Sequence, residues 1–246
     1  TSSDGNCQGS SYPIIVTVDP IPTVTASAND YDVCPGTPFN LGSTSSLVFY
    51  PNVLLSEGFN AATNNWTKIN NSTGGISPDS AAWKLRPDGY VHYGQTFHSN
   101  DNSRFYLTSS YAQGYEWYLP TPYTYTYLVS PSISTVGYSS LTLDFYHYYN
   151  DNDASAARVQ VSIDGTNWTT IATYTSDIGS SYNFIHQVIN LNPSYTGLPQ
   201  FFIRFYYYGS YDRYWAIDNV TIKGTVSAPM PIISWTSNTS GWTSSE

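Results

Sequence analysis

Apolar residues in this chain recur at every second position in short runs, and no stretch carries the i, i+3, i+4, i+7 spacing of an amphipathic helix. In the run 140–149, Leu141, Leu143 and Phe145 point one way and Thr142, Asp144 and Tyr146 the other. Val159, Val161 and Ile163 form a second apolar face. Asp164-Gly165 then turns the chain tightly, so that 168–174 returns as a hairpin partner. Runs at 187–191, 201–208 and 215–222 complete the set, each bounded by Asn, Gly, Pro, Asp or Ser. Many short strands at this spacing predict an all-β sandwich or barrel.

Composition decides what such a sandwich shows to its surroundings. Of 246 residues only 10% are charged, 8 Lys+Arg against 17 Asp+Glu for a net charge of −9, while 24 are tyrosine. Globular chains carry about a quarter charged residues, so this surface is built from Ser, Thr, Asn and Tyr instead. An acidic chain with scattered basic residues lacks the electrostatic footprint of a nucleic-acid binder. No run approaches the roughly 18 apolar residues that span a bilayer, which predicts no membrane insertion. Cys7 and Cys34 are not in a CxxC arrangement, which excludes metal-cluster and thioredoxin-type readings. They are free to pair with each other or with cysteines elsewhere. The composition is that of exported surface proteins, and the chain is expected to be an internal piece of something longer.

Pro-rich joints at 19–22 and around 229–231 bracket a large domain of about 52–224. Within it, four segments occur in order: Leu55-Ser-Glu-Gly-Phe-Asn60 with Trp66-Thr67; Phe105-Tyr-Leu-Thr-Ser109 after the polar loop 99–103; Leu128-Val-Ser-Pro-Ser132; and Trp215-Ala-Ile-Asp-Asn-Val220. This ordered set resembles the cleaved-adhesin jelly-roll domains of gingipain-type and gliding-bacterium surface proteins, which are themselves similar to the MAM domain. The resemblance implies a jelly-roll β-sandwich (MAM- or galactose-binding-like). The flanks, with Cys-Pro-Gly-Thr at 34–37 and Ile-Ser-Trp-Thr-Ser at 233–237, resemble the Ig-like repeats of large flavobacterial adhesins. They imply that 1–19 ends a preceding Ig-like module, 20–51 is a linker and the first part of an Ig-like domain, and 225–246 is a linker and its continuation. The jelly roll is then inserted in, or flanked by, that partial Ig-like sandwich. Cys34 would await a partner beyond Glu246, and Cys7 would belong to the module before.

The scattered histidines His92, His98, His147 and His186 have no metal-ligand spacing, and no nucleophile elbow, phosphate loop or dinucleotide fingerprint occurs. Carboxylate pairs among Glu57, Glu116, Asp144 and Asp218 are the one catalytic arrangement left open. Nothing favours it, so a non-enzymatic role is expected. By the resemblance, Glu57 and Asp218, on the first and last jelly-roll strands, are ligands of a structural Ca2+, with Asp101 next. Calcium takes six to eight hard oxygens. The plainer use of these carboxylates is to accept backbone hydrogen bonds at strand ends.

Residues 110–127 form an excursion too long for a tight turn. Tyr111, Tyr115, Trp117, Tyr118, Tyr123 and Tyr125 there are candidate ligand contacts, set against an Ω-like packing loop. Tyrosines within strands are read as packing. Arg104, Arg204 and Arg213 are placed to pair with Glu116, Asp144 and Asp212, or to stack. Asp79-Ser80-Ala81 matches a short bacterial O-glycosylation motif at Ser80. The reading that follows is a segment of a large secreted cell-surface adhesin attaching to glycans or surface polymers, with adjacent Ig-like repeats in the same chain and gliding motility as its setting. The alternatives are a carbohydrate-binding module of a secreted hydrolase and a spacer without a ligand.

Overall fold

A computed structural model describes residues 24–28, 41–45, 52–151, 155–210, 213–226, 234–236 and 243–245. Cys7, Cys34, Asp212 and most of the two flanking segments lie outside these residues. The chain divides into two compact units, Thr1–Phe49 and Tyr50–Glu246. In the first, β1 (Val24–Ala28) pairs antiparallel with β2 (Leu41–Ser45), Val24 opposite Ser45 and Ala28 opposite Leu41.

The second unit opens with β3 (Asn52–Glu57), β4 (Thr67–Asn70) and, after a 3-10 turn at Pro78–Ala81, β5 (Lys84–Arg86). A small hairpin follows, β6 (Tyr90–His92) with β7 (Gln95–Phe97), then β8 (Phe105–Ser109). The remaining sandwich strands are β9 (Thr124–Val129), β10 (Tyr138–Asn150), β11 (Ser155–Ser162), β12 (Thr169–Tyr174), β13 (Ile185–Asn190), β14 (Phe202–Gly209) and β15 (Tyr214–Val226). A short pair, β16 (Ser234–Thr236) with β17 (Thr243–Ser245), ends it.

The strands form an all-β jelly-roll sandwich, as expected. One sheet runs β13-β10-β15-β8-β5, with β3 also on β15; the other runs β12-β11-β14-β9-β4. The two sheets meet through alternating inward residues. Phe145 of β10 and Trp215 of β15 pack on Phe205 of β14 at ring-centroid distances of 5.1 and 5.6 Å, and Trp66 stacks on the same ring at 6.0 Å. All four rings are buried, and burying an aromatic side chain stabilises by roughly 1.5–3 kcal/mol.

Two details differ from the sequence reading, at Ile163 and at 124–129, and one, at Tyr148, extends it. Ile163 is exposed rather than inward, because β11 ends at Ser162 and Ile163 already belongs to the turn. There the Asp164 carboxylate accepts the Thr166 and Asn167 N–H groups at 2.8 and 2.7 Å. Tyr148 lies on the outward side of β10 yet is buried. Phe97 of the β6–β7 hairpin covers it at 5.9 Å and builds a second small core with Phe105, Phe184 and Tyr214. Residues 124–129, assigned from sequence largely to the excursion, are strand β9, alternating buried Thr124, Thr126 and Leu128 with half-buried Tyr125 and Tyr127.

Candidate functional site

β15 offers one edge to two successive partners. Tyr214–Ile217 pairs with β8, and Val220–Gly224 pairs with β3. Asp218 and Asn219 fall in the gap between them. Asn219 adopts φ +50°, a left-handed conformation that Asn tolerates better than most residues. Its side-chain Nδ2 donates to Asp101 Oδ2 at 2.9 Å. Gly58 lies close beside it: a Cβ there would stand 3.0 Å from Asn219 Oδ1.

The seam thus brings the end of β3, the 99–103 loop and the middle of β15 to one place. Glu57 Oε1 accepts the Phe59 N–H at 2.7 Å, and Asp218 Oδ1 accepts the Asn219 N–H at 2.8 Å, so each has the plain strand-end role. Asp218 has an oxygen left over. The residue is 0% exposed, and its Oδ2 is buried without a hydrogen-bond donor. The Ser99 and Ser103 hydroxyls stand nearby; Ser99 also reaches Asp101 Oδ1 and the Ser103 carbonyl, and Ser103 the Arg104 carbonyl.

Burial pushes the Asp218 carboxyl up to about 7, helped by the Asp101 charge and opposed by the Asn219 N–H and the Ser99 and Ser103 hydroxyls. Burial acts upward on Asp101 too, but hydrogen bonds from Asn219, Ser103 and Ser99 outweigh it and hold that carboxyl below its ordinary value. Among the described residues no three His, Cys, Asp or Glu side chains converge as metal ligands. A cation here would have to complete its shell from backbone carbonyls and side-chain amides, which calcium accepts.

The excursion has a fixed base and an open tip. Gln113, 0% exposed, is the clasp. Its Nε2 donates to the Thr73 and Gly74 carbonyls at 2.8 and 3.1 Å, and its Oε1 accepts from Thr124 Oγ1 at 2.5 Å. Its backbone carbonyl accepts the Ile76 and Ser77 N–H groups, both at 2.9 Å. The approach is so close that a Cβ on Gly75 would lie 2.6 Å from the Gly114 carbonyl oxygen. Beyond this base, Tyr115, Trp117 and Tyr118 are 50, 83 and 66% exposed, with Trp117 edge-on to Tyr118 at 5.7 Å. Tyr123 is exposed beside the base, and Tyr111 sits edge-on against Tyr93 at 4.6 Å. The base packs as an Ω-like loop does; the tip does not.

Tyr125 belongs instead to a feature the sequence reading missed, the outer face of the five-stranded sheet. There Tyr127 and Tyr206 stand opposite each other in register and stack at 4.7 Å, and Tyr125 meets Tyr208 at 5.3 Å. The Arg204 guanidinium lies between Tyr127 and Trp168, 4.5 and 4.2 Å from their ring centroids, and Arg158 lies 5.7 Å over Tyr206. Trp168, Arg204, Tyr127, Tyr206 and Arg158 therefore form one continuous stack across the strands. The available signal was the period-two placement of Arg204, Tyr206 and Tyr208 against inward Ile203, Phe205 and Tyr207.

Of the remaining expectations, Ser80 sits partly buried in the 3-10 turn, its Oγ 3.0 Å from Ser77 Oγ, with the adjoining Ala81 fully buried. Asp144 is on the outer face of the six-stranded sheet, paired with His186 at 3.2 Å and Lys223 at 3.5 Å rather than with an arginine. Arg204 takes the stacking alternative. No helix among the described residues is long and apolar enough to cross a membrane.

No protein-family model and no curated protein sequence matches the chain. Among solved structures it is similar to the K1 cleaved adhesin domain of Lys-gingipain from Porphyromonas gingivalis W83 (16% identity over 71% of this chain and 98% of that one, TM-score 0.44). It is similar also to the K3 domain of the same protein (16% identity, 71% and 99% covered, TM-score 0.45). A third is the CBM22-1 xylan-binding domain from Paenibacillus barcinonensis Xyn10C (11% identity, 74% and 100% covered, TM-score 0.38).

Proposed function

We propose that this chain is a non-enzymatic segment of an exported cell-surface adhesin, and that it attaches to glycans or surface polymers through the tip of the 110–123 segment. The observation that carries this reading is Trp117, 83% exposed on a base that Gln113 fixes. An aromatic held out in water on a rigid base gains large contact area on binding and has little rotamer entropy to lose. A low-charge surface rich in hydroxyls and amides suits contact with hydrated polymer.

A structural Ca2+ at the seam of Glu57, Asp101 and Asp218 belongs to the same proposal, supported by the buried Asp218 oxygen that no donor satisfies. So does the placement of the jelly roll among Ig-like repeats, with domain limits as read from the sequence. On an array of immobilised neutral glycans the whole chain is expected to bind a subset of polysaccharide-derived structures, and Trp117→Ala with Tyr118→Ala is expected to abolish the signal. These side chains project from the fold, so the melting temperature should not move. Array binding that survives the double substitution would overturn the assignment of the tip.

A further inference from the structure

We infer that the outer face of the five-stranded sheet binds a carboxylate-bearing polysaccharide, a polyuronate, through Arg158 and Arg204. The inference rests on the attachment reading for the ligand being a polymer, and on this face alone for its charge. The chain carries a net charge of −9 and only 8 basic residues, yet two of its arginines stand on one sheet face. Arg158 is opposite Tyr206 and Arg204 is opposite Gln160, so the two cations are diagonal neighbours, roughly 7–8 Å apart at their bases.

Among the described residues no carboxylate answers them. The ion pairs among the described residues are His98–Asp88, His186–Asp144 and Lys223–Asp144, none of them on this face. The strand positions pointing the same way on β4, β9, β11 and β14 include Ile69, Tyr125, Tyr127, Val129, Tyr208 and Gln160, and none is an acid. Among the described residues Arg204 donates its Nε–H to Gln160 Oε1 at 2.7 Å, and no acceptor there takes its terminal N–H groups.

The geometry of the stack decides the ligand class. Tyr127 and Tyr206 stack nearly parallel, with 19° between their planes, and guanidinium groups cover the other ring faces. The π-faces of Tyr127 and Tyr206 are therefore taken by each other and by the arginines rather than left for a neutral sugar. What the row offers outward is guanidinium N–H and phenolic O–H, with burial keeping the Tyr206 hydroxyl protonated by raising it to about 12. A row of donors with two unanswered cations fits a carboxylate better than an uncharged ring, because charge-assisted and bidentate bonds from Arg are the strong ones.

Native affinity electrophoresis of the whole chain tests this with three probes in the gel: polygalacturonate, the same polymer fully methyl-esterified, and dextran sulfate. Polygalacturonate is expected to retard the chain, and the ester, which keeps the rings and loses the charge, is not. Arg158→Gln and Arg204→Gln should each weaken retardation about tenfold or more. Arg158, at the end of the stack, is the substitution least able to disturb folding.

Equal retardation by the ester, equal retardation by dextran sulfate, or retardation that survives the double arginine variant would each overturn the inference. Binding to neutral polymers that is lost in the tip variant, with no response to polygalacturonate, would sink this inference while leaving attachment through the tip intact.

Discussion

Asp218 and His147 are the two buried groups that tie folding to solution conditions, and they do so with opposite signs. The Asp218 carboxyl is held at about 7, above the value near 3.8 of an unfolded aspartate. A raised pKa contributes stability that is present below the unfolded value and lost as pH rises through the folded one, so the ion-free chain weakens from about pH 4 to pH 7. Asp218→Asn should therefore raise the melting temperature in chelator at pH 8. In millimolar calcium the order should reverse, because only the wild type gains the ion's binding energy. A variant less stable than wild type in chelator would show that the ionised side chain is satisfied without a cation.

His147 is 0% exposed, and Trp215 Nε1 donates to its Nδ1 at 3.2 Å, which places its proton on Nε2. Burial holds it at about 4, below the ordinary 6.5. Its contribution is full above pH 6.5 and lost as pH falls towards 4, amounting to about 3 kcal/mol. The two groups oppose each other over one interval, so Asp218→Asn is the background in which to read His147. There, denaturant titrations should show stability falling from pH 6.5 to 4, and His147→Phe should reduce that slope to the share of His92, which burial and the Arg86 and Lys84 charges also hold at about 4; an unchanged slope would assign it to other groups.

Among the elements, the excursion shows what a sequence can and cannot disclose. Its length and tyrosine content mark it as unusual, but the split into clasped base and exposed tip depends on Gln113 reaching Thr73 and Gly74, contacts 40 and 39 residues away in the chain. Gln113→Ala leaves those carbonyls and the Thr124 hydroxyl unsatisfied, at a cost of about 1–3 kcal/mol. Limited proteolysis should then cut within 114–120 several times faster, whereas wild-type protection there would show that the tip is held by other contacts. Strand β9 was hidden for a related reason: tyrosine at every second position reads equally well as a sticky loop and as a sheet face. β10, β14 and β15 are long enough for alternation to identify them. The three-residue strands β5, β6 and β7 are not, and neither is the covering of Tyr148, which needs Phe97 from 51 residues earlier in the chain.

At the scale of the whole sandwich, Phe205 joins the two sheets through Phe145, Trp215 and Trp66. Phe205→Ala should cost about 3–5 kcal/mol in denaturant unfolding, and a loss under 1 kcal/mol would mean that the sheets are held mainly elsewhere. Alternation within strands predicts this core because burial on a sheet face has a period of two. The seam was reachable only through ordered motifs, since nothing local to Glu57, Asp101 or Asp218 says that β15 changes partners between them. The stacked outer face was legible in principle, but it takes the strand register to bring Arg158, Arg204, Tyr127 and Tyr206 together.

The central claim is that these surfaces hold polymer and leave it unchanged. Incubating the whole chain with a panel of insoluble polysaccharides, and measuring in the same tubes both the bound protein and the reducing ends released, tests it most directly. Retention on at least one polymer with no release above the buffer control is the expected result. Reducing ends that accumulate in proportion to protein and time, or no retention on any polymer, would contradict it.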